Sequence, residues 1–216
     1  TILWLRGLDP LAPEPDARLR GTALHLVFEE YTKSLTPGDK GSVPAFMAIS
    51  ETVLTQEVPW AATRIQWLAR LSGVAQEFVD WHASQPGTPV VTESRGVLDL
   101  RDPVFRLTGQ PDRIDLQPDG RLRIFDYKTG NPPSQAEQKH FDKQLILLAI
   151  MAGEGVFKGL DPAEVERAEF IGVGTKFRCE PADIAPAALR EHRARLQKLL
   201  HTYLSADQGF TARRAL

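Results

Sequence analysis

The sequence predicts an α/β domain around a mixed central sheet flanked by helices, and three observations predict it. Up to about residue 84 the apolar side chains recur at helical spacing. Gln85-Pro-Gly-Thr-Pro89 then interrupts the pattern, and short β-type stretches follow it. After those strands come one helix, one more strand and a last helix, an order that fits layered α/β packing.

Residues 1–16 are rich in Pro and Asp and read as a linker or extended arm, leaving 17–216 as a single domain. Asp16 is placed to cap a helix running to about Leu35, with Leu24, Val27, Phe28 and Tyr31 as its apolar stripe. Residues 36–44 read as a loop, and 45–84 as one long helical region. Strands are expected at 89–93, 96–101, 104–110 and 121–128, separated by Arg101-Asp102-Pro103 and Pro118-Asp119-Gly120. A helix over 134–152, a strand over 168–174 and a helix over 186–205 complete the order. The last helix carries Leu189, Leu196, Leu199, Leu200 and Tyr203 on one stripe.

Composition narrows the functional classes. With 42% hydrophobic and 25% charged residues over 216 positions, the chain reads as a globular domain with a sizeable core. It holds no apolar run long enough to cross a membrane. The lone Cys179 excludes an internal disulfide and any four-cysteine zinc or iron–sulfur site, which fits a reducing, cytoplasmic setting. The start lacks Met and a signal pattern, so the chain is expected to be a domain of a longer protein. Net charge is −2, but the residues from Lys176 onward carry eight Lys and Arg against four Asp and Glu. That asymmetry suits a polyanion surface beside an acidic cluster, and suits a solvated helix face equally well.

The chemistry concentrates in 109–130, GQPDRIDLQPDGRLRIFDYKTG. Side chains alternate along a strand, so Leu122, Ile124, Asp126 and Lys128 share one face. Two aliphatics followed by an acid and a lysine describe a strand leaving the core for a cleft. Asp112 and Asp115 precede a turn and can be paired with that strand as a hairpin, which brings a second carboxylate toward Asp126. Two carboxylates and a phosphate are how Mg²⁺ is commonly held. From the residues alone a second reading stands beside this one, a surface hairpin with ion pairs among Arg113, Asp115, Arg121, Arg123 and Asp126.

Gly109-Gln-Pro-Asp112-Arg-Ile-Asp115 followed by Asp126-Tyr-Lys128-Thr-Gly130 resembles the core of the PD-(D/E)xK nuclease superfamily, RecB branch. Gly21-Thr-Ala-Leu-His25-Leu-Val-Phe-Glu29 is similar to that family's Gly-x-x-x-His-x-x-x-Glu helix, with His25 and Glu29 on one helix face and Gly21 permitting close approach of another segment. Gln144 stands where relatives carry a Gln, while Leu148 departs from the Tyr expected four residues on. Glu93 resembles the acid that opens the core. The opening, the GQPDRID segment and the ending DQGFTARRA look like the nuclease domain that closes AddB-type helicase–nuclease subunits.

The resemblance implies a restriction-endonuclease-like core with extra helical segments and a Mg²⁺-dependent deoxyribonuclease, Mn²⁺ substituting. It implies catalytic roles for Asp112, Asp126, Lys128 and Gln144. Metal would be held by His25, Asp112, Asp126 and the Tyr127 carbonyl, with Glu29, Glu93 and Asp115 as lesser candidates. Lys139, Lys143, Lys176 and Arg178 would contact DNA, with Arg193 and Arg195 behind them. It further implies an exonuclease in DNA end processing and double-strand break repair, acting on single-stranded ends with a helicase subunit and the rest of a parent chain. No iron–sulfur cluster is expected, and no phosphate-binding Gly-Lys-Ser/Thr loop for ATP occurs in the sequence. Two alternatives are a stand-alone or CRISPR-associated exonuclease and a catalytically silent DNA-binding scaffold.

Overall fold

The computed structural model describes residues 16–36, 38–205 and 209. The arm expected over 1–16 lies outside them save for Asp16, as does most of the DQGFTARRA ending. Asp16 does cap α1 (Ala17–Ser34), its carboxylate accepting from the Leu19 N–H at 2.6 Å. The region expected as one helix over 45–84 is two, α2 (Val43–Glu57) and α3 (Ala61–Ser84). Pro59 explains the break: it has no N–H to donate and pushes Val58 into an extended conformation.

Strands β1 (Thr88–Thr92), β4 (Arg113–Leu116), β5 (Leu122–Lys128), β6 (Val165–Val173) and β7 (Phe177–Pro181) form the central sheet in the order β1-β4-β5-β6-β7. Between β1 and β4 the chain makes a separate hairpin of β2 (Gly96–Arg101) and β3 (Val104–Gly109). The β5–β6 pair is parallel and the other pairs are antiparallel, so the sheet is mixed as expected. β6 starts earlier than its apolar run because Val165 and Arg167 already pair with Leu122 and Arg123 of β5, and Glu166 adds an ion pair to Arg123. β7 is an addition to the expected strands: its sequence FRCEP alternates charge with half-buried side chains, the habit of an edge strand.

The helix expected over 134–152 is also two. α4 (Gln135–His140) opens with a Ser134–Glu137 capping box, and α5 (Gln144–Gly153) begins anew after a break at 141–143. Asp142 accepts from the Gln144 N–H, and the Lys143 ammonium closes the carbonyls of Gln138 and Lys139. The break turns Phe141 out to solvent and puts Gln144 on the first turn of a new helix. Along α6 (Pro186–Leu204) the expected stripe is only partly used, since Leu200 is buried while Leu199 and Tyr203 are exposed.

Each face of the sheet has its own core. α1, α2 and α3 pack Val27, Phe28, Phe46 and Phe78 on Phe125, Tyr127, Ile171 and Val173. α5 packs Leu145, Leu148 and Ala149 on Leu122, Ile124, Ala168 and Phe170. Gly109 closes this second core, because a Cβ there would meet Met151 at 2.9 Å and Leu148 at 3.0 Å. Gly21 has no such duty: a Cβ there meets nothing within 4 Å, so the close approach expected at Gly21 does not occur among the described residues.

Candidate active site

β5 delivers its side chains as alternation requires. Leu122 and Ile124 are fully buried in the α5-side core, and the same face continues to Asp126 and Lys128 at the strand's end. The Lys128 ammonium lies 2.6 Å from Asp126 Oδ2 and donates to Gln144 Oε1 at 2.9 Å. Gln144 Nε2 in turn donates to Asp126 Oδ1. Asp126, Lys128 and Gln144 therefore form a closed triangle, and the helix break before Gln144 makes it possible. The Leu148 departure has a packing account: it is buried against Gly109, one turn beyond Gln144.

Asp112, just ahead of β4, is nearly buried and accepts the Tyr127 N–H on Oδ2 at 2.6 Å, which fastens it beside Asp126. Its Oδ1 lies 3.3 Å from His25 Nδ1, and Glu93 Oε1 is also 3.3 Å from that nitrogen. The ligand atoms of His25, Glu93 and Asp112 all lie within 4.8 Å of one another. Glu93 is held there by Gln110 Nε2 on its other oxygen at 2.6 Å and by its own N–H on the Asp112 carbonyl. Among the described residues it is the one non-glycine with positive φ, at 45°. Such a backbone costs on the order of 1 kcal/mol and persists where the surroundings impose it.

The electrostatics favour a cation. Burial works against charge on His25, yet hydrogen bonds to Asp112 and Glu93 and the charges of both acids raise its pKa to about 10. Burial and the nearby Asp112 charge push Asp126 up to about 7, with Lys128 and His25 pulling the other way. Two carboxylates and an imidazole nitrogen converging where positive charge is stabilised suit a hard divalent ion such as Mg²⁺ or Mn²⁺. His25, Glu93 and Asp112 would hold it, with Asp126 alongside.

Other candidates fall elsewhere. Glu29 pairs with Lys33 at 2.6 Å, one turn beyond His25. Asp115 is turned to the opposite sheet face, where it and Arg113 form a fully buried two-bond ion pair, with His82 Nδ1 accepting from Arg113 at 2.8 Å. Arg113 and Asp115 do pair, as the surface-hairpin reading expects, but the pair is interior. Lys139, Lys176 and Arg178 are exposed or half-exposed, whereas the Lys143 ammonium is committed to helix carbonyls. Arg193 pairs with Glu154 and Arg195 with Glu191. Glu93, a lesser candidate by sequence, stands inside the cluster. Gln110 joins it as a residue that sequence reasoning passes over, although it is the polar side chain between Gly109 and Asp112.

Residues 3–213 match the family model described as "PD-(D/E)XK nuclease superfamily". The chain is 27% identical over 162 residues to an uncharacterized protein of Rickettsia bellii (strain RML369-C), covering 72% of this chain and 20% of that protein. It is 26% identical over 209 residues to an uncharacterized protein of Rickettsia typhi (strain ATCC VR-144 / Wilmington), covering 89% and 24%. It is 31% identical over 132 residues to an ATP-dependent helicase/deoxyribonuclease subunit of Streptococcus equi subsp. zooepidemicus (strain H70), covering 59% and 12%. The chain thus spans a quarter or less of the curated relatives it matches.

Proposed function

This chain belongs to the PD-(D/E)XK nuclease superfamily, and from that premise we propose that it hydrolyses DNA phosphodiester bonds with Mg²⁺, as one module of a longer helicase–nuclease subunit. The observation that carries the proposal is the convergence of His25, Glu93 and Asp112 within 4.8 Å, beside the Asp126–Lys128–Gln144 triangle. A divalent ion held there supplies Lewis acidity, lowering the pKa of water and offsetting charge that builds on the phosphate. Asp112 and Asp126 provide oxygen donors fixed by the Tyr127 N–H and by Gln144. The Tyr127 carbonyl is proposed as a further donor. Lys128, with one hydrogen bond to Gln144 and an ion pair to Asp126, keeps a proton to direct at the attacking water or at a phosphate oxygen. Gln144 sets the angle of both partners.

The likeness to the streptococcal helicase/deoxyribonuclease subunit supports the deoxyribonuclease and the helicase association. Exonucleolytic action on single-stranded ends, in end processing and break repair within the cytoplasm, is our further proposal. Among the described residues no helix is long and apolar enough to cross a membrane. The test is incubation of the purified protein with end-labelled single- and double-stranded DNA in Mg²⁺, Mn²⁺ or EDTA. Cleavage of single strands in either metal and none in EDTA is the expected result. Equal cutting in EDTA, or no cutting in any metal, refutes the reading.

A further inference from the structure

At the end of β5, just past Lys128, α1 and α3 bound a narrow notch lined by Arg20, Leu24, Trp67, Arg70, Thr129 and Gly174. The core stripe of α1 runs through Leu24, Val27, Phe28 and Tyr31. Position 20 lies one turn before Leu24, where that stripe passes the end of the sheet, and it carries an arginine. The Arg20 Nε is buried and has no hydrogen-bond partner, and neither Arg20 nor Arg70 has an ion-pair partner among the described residues. A buried guanidinium N–H without an acceptor is unfavourable, and two unneutralised cations at one notch repel each other. An anion with several oxygens relieves both, and phosphate matches the planar fork of arginine.

The location identifies which phosphate. Thr129 follows Lys128 directly, so the two Cα atoms are about 3.8 Å apart, and the Thr129 hydroxyl adds a neutral donor to the two arginines. The notch has room for little more than one water-sized group, so it takes a phosphate oxygen and excludes a base. Exposed Lys176, two residues past Gly174, continues the positive edge. We propose that Arg20 and Arg70, with Thr129, clamp one backbone phosphate of the DNA strand, a linkage or two from the one being cut. The inference rests on the reading of the Asp126–Lys128 site as a DNA nuclease.

Binding without turnover tests it. A fluorescent single-stranded oligonucleotide is titrated in EDTA at several salt concentrations, with the wild-type protein, Arg20→Gln, Arg70→Gln, the double variant and the charge-keeping Arg20→Lys. Loss of one phosphate contact should lower the slope of log affinity against log salt by about 0.7 in the double variant, with Arg20→Lys close to wild type. A single uncharged methylphosphonate is then walked along the strand. It should weaken wild-type binding several-fold at one linkage and leave the double variant unaffected there. Thermal melting confirms that each variant is folded, and Arg70→Gln, at an exposed position, keeps the test available if Arg20→Gln is not. An unchanged slope in folded variants, or a methylphosphonate effect that persists in the double variant, overturns the clamp. The two proposals fail separately. Metal-dependent cutting with an unchanged slope removes the clamp alone, whereas the linkage-specific effect without cutting in any metal removes the nuclease reading alone.

Discussion

Replacing Asp115 by Asn separates a supporting role from a catalytic one. The Arg113 and Asp115 side chains are 2% and 0% exposed and are joined by two hydrogen bonds of 2.6 Å. Asn preserves the shape, removes the charge and leaves the guanidinium buried with His82 and the faces of Trp81 and Phe125 around it. Breaking a buried pair from one side costs about 3–5 kcal/mol, because the remaining charge is uncompensated. For a domain of this size each kcal/mol lowers the melting temperature by roughly 2–4 °C, so a fall of about 6–20 °C is expected. Calorimetry or urea denaturation reads the loss, and a double variant, Arg113→Met with Asp115→Asn, should recover part of it. Well below its melting temperature the single variant should keep its metal affinity. A loss under about 1 kcal/mol would show that the buried pair is misread, and a folded variant that no longer binds metal would show that Asp115 belongs to the active cluster.

Lys128→Ala should lower cleavage of end-labelled DNA by about 100-fold or more while melting and DNA binding stay near wild type, since general acid–base groups contribute about 10²–10⁴-fold; activity within a few-fold of wild type would remove its role. Glu93→Gln should weaken Mn²⁺ binding at least several-fold in calorimetric titration, whereas Glu29→Gln, which loses only the Lys33 pair, should not. Half-buried His25 and buried His82 should give pH effects of opposite sign. Burial and the Arg113 charge lower His82 to about 3, so its contribution to stability is complete above its ordinary value of 6.5 and is lost as pH falls toward 3. His25 is raised to about 10, so without metal its contribution is complete below 6.5 and is lost as pH rises toward 10. Melting curves across pH should therefore lose part of their acid arm in His82→Asn and part of their alkaline arm in His25→Asn, and unchanged arms would contradict both assignments.

How legible these features are depends on where each signal resides. The alternation in RLRIFDYK determines the face of Asp126 and Lys128, because a strand has only two faces. The same rule separates Asp112 from Asp115, which are three apart and cannot share a face; reading both toward one metal overlooks it. Pro59 marks the α2–α3 break, but helical spacing resumes after it and hides the interruption. The α4–α5 break carries neither Pro nor Gly. It depends on the Asp142 and Lys143 side chains closing backbone groups, a contact that spacing does not reveal. Glu93 reaches His25 across 68 positions of chain through a positive-φ backbone at the end of β1, a geometry that belongs to the folded sheet. β7 is legible only through its partner, since its register against β6 decides which of its charges face solvent.

Locating a manganese ion by anomalous scattering in Mn²⁺-soaked crystals tests the site most directly. One peak is expected among His25, Glu93 and Asp112, with carboxylate oxygens of Asp112 and Asp126 at about 2.1–2.3 Å, near the range for small hard cations. A strong peak elsewhere on the protein with none in this cluster, or density touching Glu29 or Asp115 in place of Asp112 and Asp126, would contradict the proposed metal centre.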